Sequence, residues 1–483
     1  MNSIRVFLSK EKSIGWILVF GAVLRLLFLF LGGAIYYGRA DYFAQGDTSS
    51  WFQSFINLYQ HGTFTVDLAV DAGKYFRPPG YSFLYGIFYL LSFENEALAW
   101  KLLVGAQVLM DVASIYFISK ITGNTVKNSA NQEKALLANC AALLYAAYPF
   151  VITWAPVLYA ETSSIFFLLL SVHFAFGKVN YRSAFLSGIF GGIATLIRLQ
   201  CAFGILFIAA TFFFTDNKTI YRNIRYVSVF CFALLITYGL WPARNYFLHG
   251  RVLFSQDLNM GKHWSPGFMS FLDFAHSIST DHTTYYFQIL KNEKVDWPRA
   301  AYLEPGDSAL LDSAVNMCRT CSNGFAYWKW GERISPALEL HSPGCDSTLG
   351  IIFHTLYERQ KSKNAFHYWV TIPTKNLEKC FFKISLKADK GTVIGLIANL
   401  LFIFRSVLLL TGLLGLYLAF RNDIFQRKLL VFISCYMATW YFYLSVFYRN
   451  MEMRYLLHTD ILLLIPAAYA LILIFFSKRQ QGT

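Results

Sequence analysis

The sequence predicts an all-α polytopic membrane protein with about ten transmembrane helices, two juxtamembrane helices in the first outer loop and a large extracytoplasmic loop domain. Hydrophobic residues make up 56% of the 483 positions and charged residues 14%, against about 25% charged residues in soluble domains. Apolar runs of roughly 17–25 residues recur along the chain, each long enough to cross the hydrocarbon layer as a helix. The runs show no period-two alternation, which favours helices over a closed barrel.

Basic residues in the short loops set the orientation of the helices. They cluster in residues 120–134, 178–182, 218–225 and 421–428 and at Lys478 and Arg479 in the tail. By the positive-inside rule, these loops and both termini face the cytoplasm. The rule also accounts for much of the net charge of +14, and the chain carries no nucleic-acid-binding motif.

Ten transmembrane spans follow from the apolar runs and the loop charges. The first run follows Arg5, Lys10 and Lys12, as in a signal peptide, but it is long and lacks a small-residue cleavage site, so we expect an uncleaved helix. Residues 183–215 should form two short helices, because the basic loops on both sides must lie on one side of the membrane. The predicted spans are 14–36, 97–119, 135–154, 160–177, 183–197, 200–215, 226–243, 393–420, 429–447 and 456–476.

The first outer loop, residues 37–96, is predicted to contain two juxtamembrane helices. Residues 80–91 are apolar but too few to span the bilayer, so we expect an interfacial or re-entrant helix. Residues 48–61 carry aromatic side chains at helical spacing, which indicates an amphipathic helix lying on the outer surface.

This topology divides the chain into three parts. Residues 1–244 form a seven-helix transmembrane module, residues 245–392 an extracytoplasmic loop domain, and residues 393–483 three C-terminal transmembrane helices. The loop domain contains four of the eight cysteines, namely Cys318, Cys321, Cys345 and Cys380. In an oxidising compartment they predict two disulfides of open connectivity, while the CxxC spacing of the first two leaves a zinc site as the alternative.

Two acidic residues are predicted to face outward at the membrane surface. Asp47 precedes the surface helix, where it is either a plain helix cap or a general base for an acceptor hydroxyl. Glu161 opens a transmembrane helix, where the helix dipole suits an acid, but a carboxylate at a short apolar turn needs a partner. Arg25 and Asp111 lie within spans, and a mutual ion pair explains both.

Several arginines are predicted to lie near the same outer surface. Arg77 precedes the rigid bend Pro78-Pro79-Gly80, where it binds either lipid headgroups or a substrate phosphate. Together with two carboxylates, such a set indicates a site for a phosphorylated substrate. The other members are Arg198, Arg244, Arg405 and Arg454.

The catalytic motifs of several enzyme classes are absent from the sequence. It has no P-loop, HExxH, GxSxG or dinucleotide-binding glycine pattern, which favours an activated donor that arrives through the membrane over a nucleotide. Asp67 and Asp71 are four residues apart, so the first outer loop has no DxD metal motif. No cofactor is therefore assigned, and a divalent metal stays open.

Six short motifs occur in a characteristic order along the chain. They are Gly46-Asp47, Tyr75-Phe76-Arg77-Pro78-Pro79-Gly80-Tyr81, Tyr159-Ala160-Glu161, Ile197-Arg198, Trp241-Pro242-Ala243-Arg244-Asn245 and Arg454-Tyr455. This order resembles bacterial type-C glycosyltransferases (the GT-C superfamily), relatives of protein O-mannosyltransferases and of the lipid A aminoarabinose transferase. The resemblance covers roughly residues 10–265 and 445–476. It departs at Ser82 and His458, where the family often has proline.

The resemblance implies a seven-helix module with two juxtamembrane helices and an inverting transfer from a polyprenyl- or dolichyl-phosphate sugar. It places the first-loop aspartate of the family on Asp47, the second acidic position on Glu161, and a basic residue on Arg77. The remaining predicted contacts are the donor phosphate-binding Arg198, Arg244 and Arg454, together with Asn245 and Tyr455.

The sequence thus predicts a membrane glycosyltransferase, a hexosyl- or pentosyltransferase of the bacterial inner membrane with an extracytoplasmic active site. Its expected partners are a polyprenyl-phosphate sugar donor, a lipid, glycan or protein acceptor, and membrane lipids. Two alternatives stay open. A transporter or flippase of a lipid-linked glycan would show Pro/Gly-broken helices in matching halves, and an assembly subunit for a surface polymer would not need Asp47.

Overall fold

The structure of the protein is a computed structural model, which describes residues 2–44, 46–127, 129–214, 219–257, 265–322, 324–325, 343–382 and 392–476. Within these ranges the chain is almost entirely helical and contains no β-strand. The basic tail at Lys478 and Arg479 lies outside them. The prediction of an all-α polytopic membrane protein is confirmed at this level.

The helices are named in chain order. The first thirteen are α1 (Asn2–Leu8), α2 (Ser13–Leu27), α3 (Gly33–Tyr37), α4 (Thr48–His61), α5 (Pro79–Leu91), α6 (Glu96–Thr125), α7 (Asn131–Ala146), α8 (Pro149–Trp154), α9 (Ala160–Phe176), α10 (Tyr181–Ile197), α11 (Cys201–Phe212), α12 (Ile220–Thr237) and α13 (Leu240–His249). They are followed by α14 (Pro266–Ile278), α15 (His282–Leu290), α16 (Asp307–Thr320), α17 (Pro343–Lys363), α18 (Ile372–Phe382), α19 (Thr392–Asn422), α20 (Arg427–Tyr443) and α21 (Met453–Phe476). Short 3-10 and π turns are Phe28–Gly32, Asp71–Tyr75, Arg299–Ala301, His367–Thr371 and Leu444–Tyr448.

Six helical segments of the described chain are long and apolar enough to cross a membrane. Helices also occupy the positions of the other four predicted spans. Three of them, α9, α10 and α11, are shorter than the six segments, and the remaining predicted span, 135–154, is divided between α7 and α8. The count of ten spans therefore stays a prediction. The six segments are Ser13–Tyr37, Glu96–Thr125, Ile220–Thr237, Gly395–Asn422, Arg427–Tyr448 and Met453–Phe476.

Two predicted spans are interrupted near prolines. The run 135–154 divides into α7 and α8, because Pro149 has no backbone N–H to continue the first helix and starts the second. The run 226–243 is interrupted after Thr237, and α13 follows with Pro242 in its first turn. Apolar length alone did not indicate either interruption.

The helical hairpin predicted for residues 183–215 is confirmed as α10 and α11, with Arg198 in the turn between them. Helix α10 packs closely against α12, since a Cβ on Gly188 would lie 2.4 Å from the carbonyl oxygen of Phe230. This contact holds the middle of α10 against α12.

Helices α4 and α5 form an aromatic layer within residues 37–96, at the positions predicted for them. The rings of Phe52 and Tyr85 are stacked with centroids 4.0 Å apart. Gly80 permits a close approach between α5 and α10, because a Cβ there would lie 2.6 Å from the backbone nitrogen of Ile197. The loop is thereby held beside the turn that carries Arg198.

The described part of residues 245–392 is helical, with α14 packed along α17 around a core that includes Phe271 and Phe353. Cys321 and Cys345 form a disulfide. The prediction of two disulfides is wrong, because α16 turns Cys318 into the domain core while Cys380 lies on α18 with its sulfur 3.5 Å from Met451 Sδ. The alternative zinc site is also wrong, because Cys321 is already bonded to Cys345.

Two ion pairs lie inside the helix bundle. Arg25 Nε donates to Asp111 Oδ2 at 2.6 Å, which confirms the predicted mutual pair. The prediction that Arg405 joins the other arginines at the outer surface is wrong. Its fully buried guanidinium donates twice to Asp460, at 2.7 and 3.0 Å. The face of α19 that carries Arg405 is turned towards α21, where Asp460 neutralises the charge within the bundle.

Candidate active site

Three arginines and two carboxylates meet where helix ends gather at one end of the bundle. Asp47 directly precedes α4, Glu161 is the second residue of α9, Arg198 follows α10, and Arg454 is the second residue of α21. Arg77 lies before the Pro-Pro-Gly bend that begins α5. Because each group is at or next to a helix terminus, the packing of the helices determines where the charges lie. We refer to these five residues as the charged cluster.

Asp47 forms the outer part of the charged cluster. Arg454 Nη1 donates to Asp47 Oδ2 at 3.0 Å, and Arg77 Nη2 lies 3.8 Å from Oδ1. The carboxylate accepts no capping hydrogen bond although Asp47 occupies the N-cap position of α4, and its side chain is 40% exposed. Its backbone N–H donates to the Tyr159 hydroxyl at 2.9 Å. The interpretation of Asp47 as a plain helix cap is therefore not supported by the position of its side chain.

Glu161 forms the inner part of the charged cluster. Its side chain is 1% exposed, and Oε1 lies 2.9 Å from Arg198 Nη1 and 3.8 Å from Arg454 Nε. Neither carboxylate oxygen receives a well-directed hydrogen bond from the described groups. Since buried carboxylates normally accept such bonds, Glu161 has acceptor capacity left for the hydroxyl groups of a ligand.

Aromatic rings hold the three arginines in place. The guanidinium of Arg77 lies 4.2 Å from the centroid of the Trp51 ring. The guanidinium groups of Arg198 and Arg454 lie 5.5 and 5.2 Å from the ring centroid of Tyr455. Tyr455, which the sequence predicts as a substrate contact, therefore lies beside the charged cluster. Stacking restrains the planar groups while their N–H edges stay able to bind an anion.

The arginines control the protonation state of Asp47. Burial alone would raise the pKa of this carboxyl, but the charges of Arg77 and Arg454 and the hydrogen bond from Arg454 outweigh burial and lower its pKa below the ordinary value. Burial lowers the pKa of Arg77, yet arginine starts so high that it stays charged at neutral pH. Asp47 is thus an ionised carboxylate at neutral pH and can accept a proton.

Arg244 and Asn245, both predicted as substrate contacts, lie outside the charged cluster. Arg244 donates to the backbone carbonyls of Lys74 and Phe64, each at 2.9 Å. Asn245 is buried and donates to the carbonyl of Leu253 at 3.1 Å. The two residues tie α13 to its surroundings, which favours a structural role, and their substrate contacts stay predictions.

The sequence reasoning gave no role to two residues beside the charged cluster, Tyr159 and Glu452. Glu452 Oε2 lies 2.6 Å from Arg454 Nε, and the Tyr455 hydroxyl donates to Glu452 Oε1 at 3.2 Å. The ring of Tyr159 lies 5.0 Å from the Arg454 guanidinium. The available signal was proximity in sequence, since each residue stands two positions before a predicted site residue, Arg454 or Glu161.

A buried polar layer lies beneath the charged cluster. His458, one helical turn after Arg454, has its Nε2 2.8 Å from Ser164 Oγ and also contacts Gln200. Ser164 donates to the carbonyl of Glu161 at 2.9 Å. His458 therefore joins α21 to the first turn of α9 and to the turn before α11.

Positive charge in this region comes from arginine side chains. With Glu452 included, three guanidinium groups are balanced by three carboxylates. Within the described ranges, no group of three or more His, Cys, Asp or Glu residues is placed to hold a metal ion. No ligand set can therefore be named for the divalent metal that the sequence left open.

Comparison with known proteins adds one structural likeness. No family model and no curated protein matches the chain. Among solved structures, the crystal structure of ArnT from Cupriavidus metallidurans bound to undecaprenyl phosphate is similar at 15% sequence identity and a TM-score of 0.36, covering 95% of this chain and 78% of that chain. Because this likeness is low, the functional argument depends on the side chains of the charged cluster.

Proposed function

We propose that this chain is an inverting membrane glycosyltransferase of the bacterial inner membrane. It moves a hexose or pentose from a polyprenyl-phosphate donor to a hydroxyl group of a lipid, glycan or protein on the extracytoplasmic side. The observation that carries the proposal is the contact of an ionised aspartate, Asp47, with two arginines at the end of a bundle of apolar helices. Such a site offers a base and an anion-binding group beside the lipid.

The arginines suit the leaving group of this reaction. When the bond between the anomeric carbon and the phosphate oxygen breaks, its electron pair stays with the lipid phosphate, whose negative charge is stabilised by fixed cations. Arg77 and Arg454 approach different oxygens of Asp47, at 3.8 and 3.0 Å. A phosphate can replace the carboxylate at both guanidinium groups, while the apolar helices hold the prenyl chain.

Asp47 suits the acceptor. It takes the proton of the acceptor hydroxyl as that oxygen attacks the anomeric carbon from the face opposite the phosphate. The new C–O bond forms as the bond to the phosphate breaks, so the configuration at the anomeric carbon inverts. A phosphate that removes the arginines from Asp47 raises the pKa of the carboxyl, which makes it a stronger base in the donor complex.

Glu161 keeps two of the arginines in position. Its buried carboxylate neutralises Arg198 at 2.9 Å and approaches Arg454 at 3.8 Å, so both guanidinium groups are directed before the donor arrives. Preorganised charges of this kind need no reorganisation during the reaction. The acceptor capacity left on Glu161 suits sugar hydroxyls of the donor or the acceptor.

Binding of undecaprenyl phosphate to the purified protein tests the donor site. Arg77→Ala should weaken binding roughly 10- to 100-fold, because a hydrogen bond to a charged group is worth about 1.5–3 kcal/mol, and Arg77→Lys should be intermediate. The matched control is Arg39→Ala, which removes an exposed arginine of the same loop that pairs with Asp41. Wild-type affinity in Arg77→Ala would overturn the phosphate assignment.

The chemistry of the products distinguishes the alternatives. A flippase or an assembly subunit binds the lipid without forming a glycosidic bond, so the purified protein would leave the mass of an added acceptor unchanged. Comparing the masses of lipids and surface glycans between a deletion strain and its parent would identify the sugar and the acceptor together. An enzyme of the proposed kind predicts the loss of one hexose or pentose from one class of acceptor.

A further inference from the structure

A second polar site lies at the other end of the bundle from the charged cluster. Helix α9 carries Glu161 in its first turn, beside the cluster, and ends 15 residues later at Phe176, about 22 Å away at the α-helical rise. There, a cavity of about 960 Å³ opens among the end of α11, the start of α12 and the start of α20. Its volume is in the range of sites that bind small molecules.

The cavity carries positive charge on its rim. Four basic residues and no acidic residue occur among the described residues that line it. Two of them already share one carboxylate outside the lining, since Lys127 Nζ and Arg427 Nε lie 2.8 and 3.2 Å from Asp423 Oδ1. The third is Arg222, whose Nε donates to the Tyr226 hydroxyl at 2.8 Å, and the fourth is Lys428.

Lys428 is the basic residue that points most clearly to an anion. Its ammonium lies 5.6 Å from the ring centroid of Phe176, and no carboxylate of the described chain lies within 4.0 Å of it. Lys428 is half-buried, and even partial removal of an ammonium group from water is costly without a counter-ion. An anion between Lys428 and Arg222 would remove that cost.

The wall of the cavity is apolar and continues onto the outside of the bundle. It includes Phe207 and Phe214, together with Val431. Phe214 is 73% exposed and Val431 48% exposed, so this wall leads to helix surfaces that face hydrocarbon chains in a membrane. A free phosphate ion would use the basic rim and leave the apolar wall in contact with water.

We propose that this cavity is a binding site for an anionic phospholipid of the cytoplasmic leaflet. The phosphate lies between Lys428 and Arg222, and an acyl chain follows the apolar wall formed by Phe207, Phe214 and Val431. Basic pockets between transmembrane helices on the cytoplasmic side recognise such headgroups. The site joins α11 and α12 to α20, and it is independent of the reaction proposed for the charged cluster.

Phospholipid binding to the full-length protein tests this site. Phosphatidylglycerol, added to the protein in mixed micelles and counted by native mass spectrometry, should bind more tightly than phosphatidylcholine and raise the melting temperature. Lys428→Gln should weaken phosphatidylglycerol binding roughly five-fold, the contribution expected of one basic residue near a headgroup. Lys428→Arg should restore it.

The control is Lys120→Gln, which removes an exposed lysine on the same side of the protein that lies over Tyr116 and does not line the cavity. It should leave phosphatidylglycerol binding unchanged. If Lys428→Gln does not fold, Arg222→Gln carries the same expectation. Equal binding of the two phospholipids, unchanged binding in the cavity variants, or an equal rise in melting temperature with inorganic phosphate alone would each overturn the proposal.

Discussion

Asp47 occupies a position where an aspartate ordinarily accepts hydrogen bonds from the first backbone N–H groups of the following helix. Here the carboxylate is turned to Arg77 and to Arg454, which is 407 residues away in the chain. Helix α4 thereby forgoes a cap that is worth about 1 kcal/mol. The local sequence is the same for a cap and for a base, so only the distant arginines distinguish the two roles.

The pH dependence of turnover tests whether the donor phosphate takes the arginines from Asp47. Arg77 and Arg454 lower the pKa of Asp47 in the free enzyme, so the acid limb of kcat/KM, which reports the free enzyme, should lie below the ordinary aspartate value of about 3.9. In the proposed reaction Asp47 acts as an ionised carboxylate, so a pKa raised by the bound phosphate places the acid limb of kcat at higher pH.

Two variants separate this effect from a general loss of stability. Arg77→Ala should move the acid limb of kcat/KM to higher pH, because one of the cations that lower the pKa of Asp47 is gone. Asp41→Asn, at an exposed carboxylate of the same loop, should move neither limb. Acid limbs of kcat and kcat/KM that coincide in the wild type would contradict the exchange of partners.

At the scale of the helices, the site is assembled from the ends of four elements and one bend. The existence of these helices was predictable, because apolar length and loop charge are local properties. The rotation of each helix about its axis was not, because an apolar run does not specify which face meets a neighbour. For this reason Arg454 and Arg198 join the charged cluster, whereas Arg405 turns inward to Asp460 and Arg244 binds backbone carbonyls.

The buried pair between α19 and α21 gives a prediction about stability. Asp460→Asn removes the charge that neutralises the fully buried Arg405, so it should lower the free energy of unfolding by roughly 3–5 kcal/mol. The double variant Arg405→Met/Asp460→Leu should be closer to the wild type, because no isolated charge remains. Thermal or denaturant unfolding of the purified protein in detergent measures both.

The control for this prediction is an ion pair on the surface. Asp423→Asn removes the partner of Lys127. The side chain of Lys127 is 32% exposed and that of Asp423 48% exposed, and such exposed pairs contribute about 0–1 kcal/mol. A loss of stability in Asp460→Asn no larger than that in Asp423→Asn would contradict the role given to the buried pair.

At the scale of the whole molecule, the apolar helices were predictable and the fold of residues 245–392 was not. Spans, juxtamembrane helices and the helical hairpin follow from segment length and charge. Residues 245–392 mix Pro, Gly and charged residues without a dominant period, so their helices and the α14–α17 core could not be read from the sequence. The cysteine count suggested disulfides, but pairing depends on which face of α16 turns inward.

Counting thiols tests the arrangement of the cysteines in residues 245–392. Denatured, unreduced protein should show six thiols, and reduction should raise the count to eight, because one disulfide joins Cys321 and Cys345. Cys321→Ser should add one thiol before reduction by releasing Cys345, whereas Cys318→Ser should remove one. A count of four before reduction would instead indicate two disulfides.

The most direct measurement is the transfer of sugar by the Asp47→Asn variant in native membranes. Release of labelled polyprenyl phosphate from its sugar conjugate would be compared at matched expression with wild type and with Asp41→Asn. The amide keeps the shape of the side chain and cannot take the acceptor proton, so turnover should fall about 10²–10⁴-fold, while undecaprenyl phosphate binding persists and Asp41→Asn behaves as wild type. Wild-type turnover in Asp47→Asn would contradict the assignment of the base and with it the central role of the charged cluster.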